Sequence, residues 1–138
     1  MRKLHSITAV LIGLALVFPV FPVFSAEPSP LEVRTENGIS YVTGGAGDDE
    51  QRALKRMASE FDLEVLLARQ DGAYLADVPV RIVDDQGQTV LEVTTRGPYL
   101  FADLGAGTYM VHATFEGRSQ QKTARIRDED REQLNFYW

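Results

Sequence analysis

Few side chains in this 138-residue sequence have the types and spacing that catalysis or metal binding requires. The chain has two histidines, His5 and His112, and no cysteine. His5 lies in the predicted signal peptide, so only His112 remains after cleavage, and one histidine cannot form a histidine metal site alone. Without cysteine there is no disulfide, thiolate ligand or cysteine nucleophile. The acidic stretch Asp128-Glu129-Asp130 lacks the ligand spacing of a calcium loop. We therefore predict no metal ligand.

Motifs for nucleophilic catalysis and phosphate binding are also missing. No Gly-x-Ser-x-Gly turn presents a serine to His112. The glycine-rich stretch Gly44–Gly47 precedes Asp48-Asp49-Glu50 and not the Lys-Ser/Thr of a phosphate-binding loop, and three carboxylates repel phosphate. We predict no catalytic residue, no cofactor and a protein that is not an enzyme. A hydrolase that uses His112 with a neighbouring carboxylate is the alternative.

The aromatic side chains are the stronger lead to function. Four of them form the candidate binding surface: Tyr74, Tyr99, Tyr137 and Trp138. Alternation along the last apolar segment places Leu134, Phe136 and Trp138 on one face and Asn135 and Tyr137 on the other. One face is expected in the core, and the other could expose an aromatic side chain beside Tyr74 or Tyr99. Such a surface suits a carbohydrate or a peptide, and the alternative is an ordinary core with one exposed tyrosine.

Alternating apolar residues predict that β-strands position these aromatic side chains. Four strands are expected between Asp71 and Phe115, around Val78–Val83, Thr89–Thr95, Tyr99–Phe101 and Thr108–Phe115. Asp and Gly residues form the turns between them, and Pro79 restricts the first strand to an edge or to a start at that residue. Leu63–Ala68 has the continuous apolar character of a central strand, whereas Ser119–Arg127 has the polar character of an edge strand.

The central segment resembles the carboxypeptidase regulatory-like domain. The residues that carry the resemblance are Gly72, Leu75–Ile82, Asp84–Gly87, Gly97–Phe101, Leu104 and Gly107–Tyr109. The resemblance covers Asp71–Phe115 and implies a mainly β fold, a seven-stranded transthyretin-like, Ig-like β-sandwich that serves as an accessory module in secreted and periplasmic proteins. Transthyretin-like folds include a purine-pathway hydrolase that depends on several histidines. Because this chain lacks them, the resemblance transfers no catalytic residue.

The segment before the central strands predicts a hairpin and a helix. Asn37-Gly38 lies between two alternating stretches and favours a type I′ turn. A helix is expected from Asp49 to about Phe61, with Asp48 and Gln51 as an approximate capping box. Its apolar residues recur at helical spacing, so the helix packs on the sheets or, alternatively, binds a partner. We divide the chain into residues 27–62, with hairpin and helix, and residues 63–138, the sandwich.

Residues 1–26 have the composition of a signal peptide. Arg2 and Lys3 precede an apolar stretch, and small residues precede Glu27. Cleavage removes two basic and no acidic residues, which changes the net charge from −6 to −8. We therefore expect a periplasmic or secreted protein, held by no membrane after cleavage, that does not bind nucleic acid because its charge repels phosphate.

These observations predict a non-catalytic binding or assembly module whose partner is a protein of the cell envelope. Edge strands able to accept a partner strand support this prediction. A small-ligand or carbohydrate-binding sandwich is the alternative. The terminal aromatic strand also resembles the recognition signal of outer-membrane barrels, but the sequence predicts no other barrel strands, so we interpret this segment as the last strand of the sandwich, with a tail recognised by a partner as the alternative.

Overall fold

A computed structural model describes residues 18–22 and 31–138. The signal peptide predicted over residues 1–26 lies outside these residues except for positions 18–22, and it stays a prediction. In the described ranges, no helix has both the length and the apolar character needed to cross a membrane.

The described chain is mainly β, with two sheets and one short α-helix, as the sequence predicted. In chain order the elements are β1 (Arg34–Glu36), β2 (Ile39–Gly44), α1 (Asp48–Met57), a 3-10 turn (Ala58–Glu60), β3 (Leu63–Ala68), β4 (Pro79–Val83), β5 (Thr89–Thr94), β6 (Tyr99–Ala102), β7 (Gly107–Phe115), β8 (Arg118–Ile126) and β9 (Glu132–Tyr137). Nine strands are therefore present in the described residues, where a sandwich of seven was expected. The hairpin strands, expected as an addition, belong to one of the sheets.

The two sheets have the orders β1-β2-β6-β3-β9 and β5-β4-β7-β8. All pairs are antiparallel except β3 with β9, which is parallel. The sequence placed Leu63–Ala68 centrally and the strand after residue 118 at an edge, and both positions are confirmed. Pro79 is the first residue of β4, where a missing backbone donor is tolerated.

Both sheets contribute to one hydrophobic core, because alternate residues of each strand point toward the other sheet. The five-stranded sheet contributes, among others, Leu63, Val65, Leu67, Leu100 and Phe136, and the four-stranded sheet contributes Val80, Ile82, Leu91, Val111 and Ala113. A second, smaller cluster lies on the opposite face of the five-stranded sheet. There Leu54 of α1 and Phe61 pack against Val42 and Phe101.

The hairpin turn has the predicted geometry. Asn37 and Gly38 have φ values of 51° and 79°, and β1 and β2 pair on either side of them. Both residues are in the left-handed region that a type I′ turn requires, which Asn and Gly tolerate best. The positive φ at both central positions therefore gives the pairing of Glu36 with Ile39.

The helix cap differs from the prediction. Gly47 is the N-cap and makes no side-chain capping bond, so the Asp48–Gln51 capping box is wrong. The Glu50 carboxylate instead accepts hydrogen bonds from the backbone N–H groups of Gly45 (2.8 Å) and Ala46 (3.2 Å). Gln51 Nε2 donates to the Gly45 carbonyl at 3.0 Å. Because the glycine-rich turn folds back on the helix, Glu50 rather than Asp48 satisfies the backbone donors.

Side chains cover parts of the sheet edges. Asn37 Nδ2 donates to the Val90 carbonyl of β5 at 3.3 Å, and Trp138 Nε1 donates to the Arg118 carbonyl of β8 at 3.0 Å. Gln120 Nε2 also donates to the carbonyl of Tyr137. The bond from Asn37 joins the β1–β2 turn of the five-stranded sheet to the β5 edge of the four-stranded sheet. The other two bonds join the end of β9 to the β8 edge.

Tyr109 forms a local bond that connects β7 to the preceding turn. Its hydroxyl donates to the Gly105 carbonyl at 2.8 Å, while its ring packs against the core. We expect Tyr109→Phe to lower the free energy of unfolding by about 1 kcal/mol, the usual net value of one hydrogen bond. Denaturant unfolding measures this change. Tyr137→Phe is the control, since its hydroxyl is on an exposed side chain, and an equal loss in both variants would contradict the prediction.

Two carboxyl groups meet where β3 begins and β6 ends. Burial, followed by the neighbouring Asp103 carboxylate, raises the pKa of Asp62 above its ordinary value of 3.8. The folded protein therefore holds this proton more tightly than the unfolded chain, and stability falls as pH rises through the raised pKa. The charged form of Asp62 is the destabilising one.

We expect Asp62→Asn to melt at a higher temperature than the parent near neutral pH. The difference should close as the pH falls below the ordinary pKa of aspartate, because both proteins are then uncharged at this position. Thermal unfolding across this pH range measures it. Asp103→Asn removes the same repulsion from the other side and should give the same sign, whereas a difference that does not depend on pH would contradict the argument.

Candidate functional site

The structure brings together three of the four aromatic residues that the sequence selected. Tyr74 and Tyr137 are exposed (53% and 44%), and Tyr99 is half-buried. The rings of Tyr74 and Tyr99 have centroids 6.1 Å apart and planes tilted by 55°. Tyr137 is close enough to affect the ionisation of Tyr99. We call Tyr74, Tyr99 and Tyr137 the tyrosine cluster.

Strand register positions this cluster on the face of the five-stranded sheet that points away from the shared core. Leu66 of β3 lies opposite Tyr99 on one side and opposite Asn135 on the other. Ala68, two residues later on the same face, lies opposite Tyr137 and forms an isolated bridge with Tyr74. Three distant chain segments therefore meet around the end of β3.

Trp138, the fourth candidate, lies on the other side of the sheet. It is buried (8% exposed), and its ring stacks on Phe136 with centroids 6.1 Å apart. The bond from its indole N–H to Arg118 keeps its one polar atom satisfied. Trp138 thus contributes to the core and not to the exposed tyrosine surface, although it was selected for that surface from the sequence; alternation predicted only that Trp138 and Tyr137 lie on opposite faces.

The ring of Tyr99 is positioned by the glycine-rich turn before α1. A Cβ atom at Gly45 would lie 2.6 Å from Cδ2 of Tyr99, and Gly45 has a φ of +93°. Thr43 Oγ1 also donates to the Tyr99 carbonyl at 2.9 Å. Glycine at position 45 therefore provides both the backbone angle and the space for the ring. The sequence excludes this stretch as a phosphate-binding loop, and it does not predict the contact with Tyr99.

A groove of about 220 Å³ lies between α1 and the sheet, beside Tyr99. Its lining comprises Gln51, Leu54, Lys55 and Ala58 from the helix side and Glu64, Tyr99, Phe101 and Arg131 from the other. The groove is therefore lined by both apolar and hydrogen-bonding groups. The polar members were not identified from the sequence.

Glu64 and Arg131 form the charged part of the groove. Arg131 Nη2 is 2.9 Å from Glu64 Oε2, and the Glu64 side chain is only 19% exposed. Arg131 Nε also donates to the Phe61 carbonyl at 3.3 Å. The guanidinium group is thus fixed by two partners, and it holds the carboxylate at the groove wall.

The site keeps Tyr99 protonated well into the alkaline range. Burial, and after it the neighbouring Tyr74 hydroxyl, raises the pKa of Tyr99 from 10.0 to about 12. The charges of Glu64 and ionised Tyr137 act in the same direction. At neutral pH this phenol is therefore a hydroxyl that can both donate and accept a hydrogen bond.

Asn135 adds an unusual polar atom to this face. Its Oδ1 is buried and has no hydrogen-bond partner among the residues that the structure describes. It shares its face of β9 with Tyr137, and it lies opposite Leu66. Most buried side-chain oxygens are hydrogen-bonded, so this atom is an exception, and because it is enclosed by protein a ligand on the surface does not reach it.

His112 lies in the other sheet from the tyrosine cluster. It is on β7 of the four-stranded sheet, where Arg81 and Gln121 are its neighbours across the strands. Across residues 18–22 and 31–138, the structure has no group of three or more metal-ligating His, Cys, Asp or Glu side chains.

No protein-family model matches this sequence, and a search of curated proteins finds no match.

An alkaline titration checks the environment of Tyr99. We expect one phenol of the parent to ionise near pH 12, and Tyr99→Phe to remove that late step from the phenolate absorbance. Since the folded pKa is raised, stability should fall between the ordinary pKa and the raised one. Tyr74→Phe should bring the late step to lower pH. Loss of an early step in Tyr99→Phe, with the late step unchanged, would show that this assignment is wrong.

Proposed function

We propose that this protein is a non-catalytic binding module that works in the periplasm or outside the cell, on a component of the cell envelope. The binding surface is the tyrosine cluster with the adjacent groove. The observation that carries the proposal is the meeting of Tyr74, Tyr99 and Tyr137, from three separate segments, on one exposed sheet face. Tyrosine is common in binding surfaces, because its ring offers apolar area and its hydroxyl a polar contact.

The proposal includes a transthyretin-like sandwich of the carboxypeptidase regulatory-like type. The division of the strands from β3 to β9 between two sheets that share one core supports this type of sandwich. The Tyr109 hydroxyl bonds to a carbonyl four residues upstream, in the manner of the tyrosine corner of other Greek-key sandwiches. The hairpin and α1 are then additions to the sheet that carries the tyrosine cluster.

The exposed sheet face is a better candidate for binding than the two edges of the four-stranded sheet. A partner strand needs an edge with accessible N–H and C=O groups. Side chains already occupy the Val90 carbonyl on β5 and the Arg118 carbonyl on β8. Both outer edges of the four-stranded sheet are thus interrupted.

The position of His112 supports a role without catalysis. Its cross-strand neighbours are Arg81 and Gln121, so no carboxylate lies directly opposite it to orient the imidazole. The groove itself contains a carboxylate, Glu64, that is already paired with Arg131. A carboxylate held by a guanidinium is well suited to fixed hydrogen bonding.

Retention of envelope components by matched variants tests the proposal. The purified protein should retain a protein or glycan from an envelope extract, and Tyr99→Ala and Tyr137→Ala should reduce retention by about tenfold or more, as expected for residues that anchor a binding surface. Gln121→Ala is the control, since Gln121 is exposed on β8 of the other sheet. Melting curves of all variants verify that each one folds.

Equal retention by the parent and both tyrosine variants would contradict the proposed surface. Loss of retention in Gln121→Ala alone would instead move the binding surface to the four-stranded sheet. A parent that retains nothing from the extract would contradict the proposed function itself.

A further inference from the structure

We propose that the groove binds one uncharged sugar residue of a glycan, with the neighbouring residues of that glycan on Tyr74 and Tyr137. This inference rests on the proposed function, and it names the ligand class of the same surface. The argument depends on the size of the groove, on its mixture of donors and acceptors, and on its charge.

The size of the groove restricts the ligand. Pockets for drug-sized molecules have volumes of about 300 to 1,000 Å³. The volume of about 220 Å³ is below that range, so the groove accommodates one ring-sized group and not a whole larger ligand. The exposed rings of Tyr74 and Tyr137 lie outside the groove lining, and they provide contact area for a ligand that continues along the sheet.

The polar groups favour a ligand that both donates and accepts hydrogen bonds. Gln51, Lys55 and Arg131 provide donors, and Glu64 provides an acceptor. Tyr99 provides both, since its phenol is protonated at neutral pH. Sugar hydroxyl groups also do both, so a sugar satisfies the two kinds of group at once. An apolar side chain of a protein partner could not use the bonding capacity that these groups have beyond their bonds within the protein.

The aromatic groups account for the remaining contacts. A sugar ring has an apolar C–H face, and Tyr99, which packs edge-on against the buried Phe101, provides apolar surface in the groove.

Charge argues against the cationic ligands that tyrosine clusters bind in other settings. A quaternary ammonium group needs aromatic faces around it and benefits from an unpaired carboxylate. Here Glu64 is paired with Arg131, and Lys55 adds a second positive charge to the lining. The Tyr74 and Tyr99 rings are also 6.1 Å apart and tilted, so they contact one another instead of enclosing a cation.

Calorimetric titration of the purified protein tests the inference. The probes are neutral hexasaccharides of α-linked glucose, β-linked glucose and N-acetylglucosamine, together with choline and a short neutral peptide. We expect saturable binding of at least one hexasaccharide. Tyr99→Ala should weaken this binding by about tenfold or more, and Gln121→Ala should leave it unchanged. Tyr137→Ala is the second variant, because its exposed side chain is removed with little risk to folding.

The outcomes separate this inference from the proposed function. No saturable binding of any hexasaccharide would overturn the inference, and so would binding that Tyr99→Ala and Tyr137→Ala leave unchanged. If choline or the peptide binds instead and the tyrosine variants lose it, the inference fails while the proposed surface stands. If the tyrosine variants also retain envelope components as the parent does, both fail.

Discussion

Strand β3 pairs with a strand on each side, and both of its faces must be covered by other side chains. The positions of α1 and of the tyrosine cluster depend on this requirement. Leu63, Val65 and Leu67 of β3 belong to the core between the sheets. The opposite face needs its own cover, which α1 provides only over the β2 and β6 half of the sheet, through Leu54 and Phe61. Over the β3 and β9 half of this face, tyrosine side chains provide the cover. The groove lies where these two kinds of cover meet, so the candidate site follows from a sheet that one short helix cannot cover completely.

Local chemistry explains which parts of the fold could be predicted from the sequence. Asn37-Gly38 determines its turn because the backbone angles depend on these two residues alone. Alternation of apolar and polar residues identified the strands, because that pattern also depends only on neighbouring positions. It placed Tyr137 and Trp138 on opposite faces. The helix cap failed because the competing partner, Glu50, reaches backward to Gly45 and Ala46. A spacing rule for Asp48 and Gln51 does not include that reversal of the chain.

The candidate site was predictable only in part, because its members come from distant positions. Glu64 and Arg131 are 67 residues apart, and their contact results from the β3–β9 pairing together with the loop before β9. Nothing in the local sequence of either residue indicates a partner. The tyrosines were found by their type, since large amphipathic side chains are informative wherever they are placed. The space that Gly45 provides for Tyr99 depends on packing, and composition shows only that the turn contains glycine.

The parallel pairing of β3 with β9 has a consequence for the order of events during synthesis. A chain that emerges with its N-terminus first releases residues 63–68 long before their neighbours at 132–137. Until then β3 lacks one side of its hydrogen-bonding ladder, and the core between the sheets lacks Leu134 and Phe136. Contacts between residues so far apart also form slowly. The nascent chain therefore stays short of its native state until residues 132–137 have been synthesised and can pair with β3.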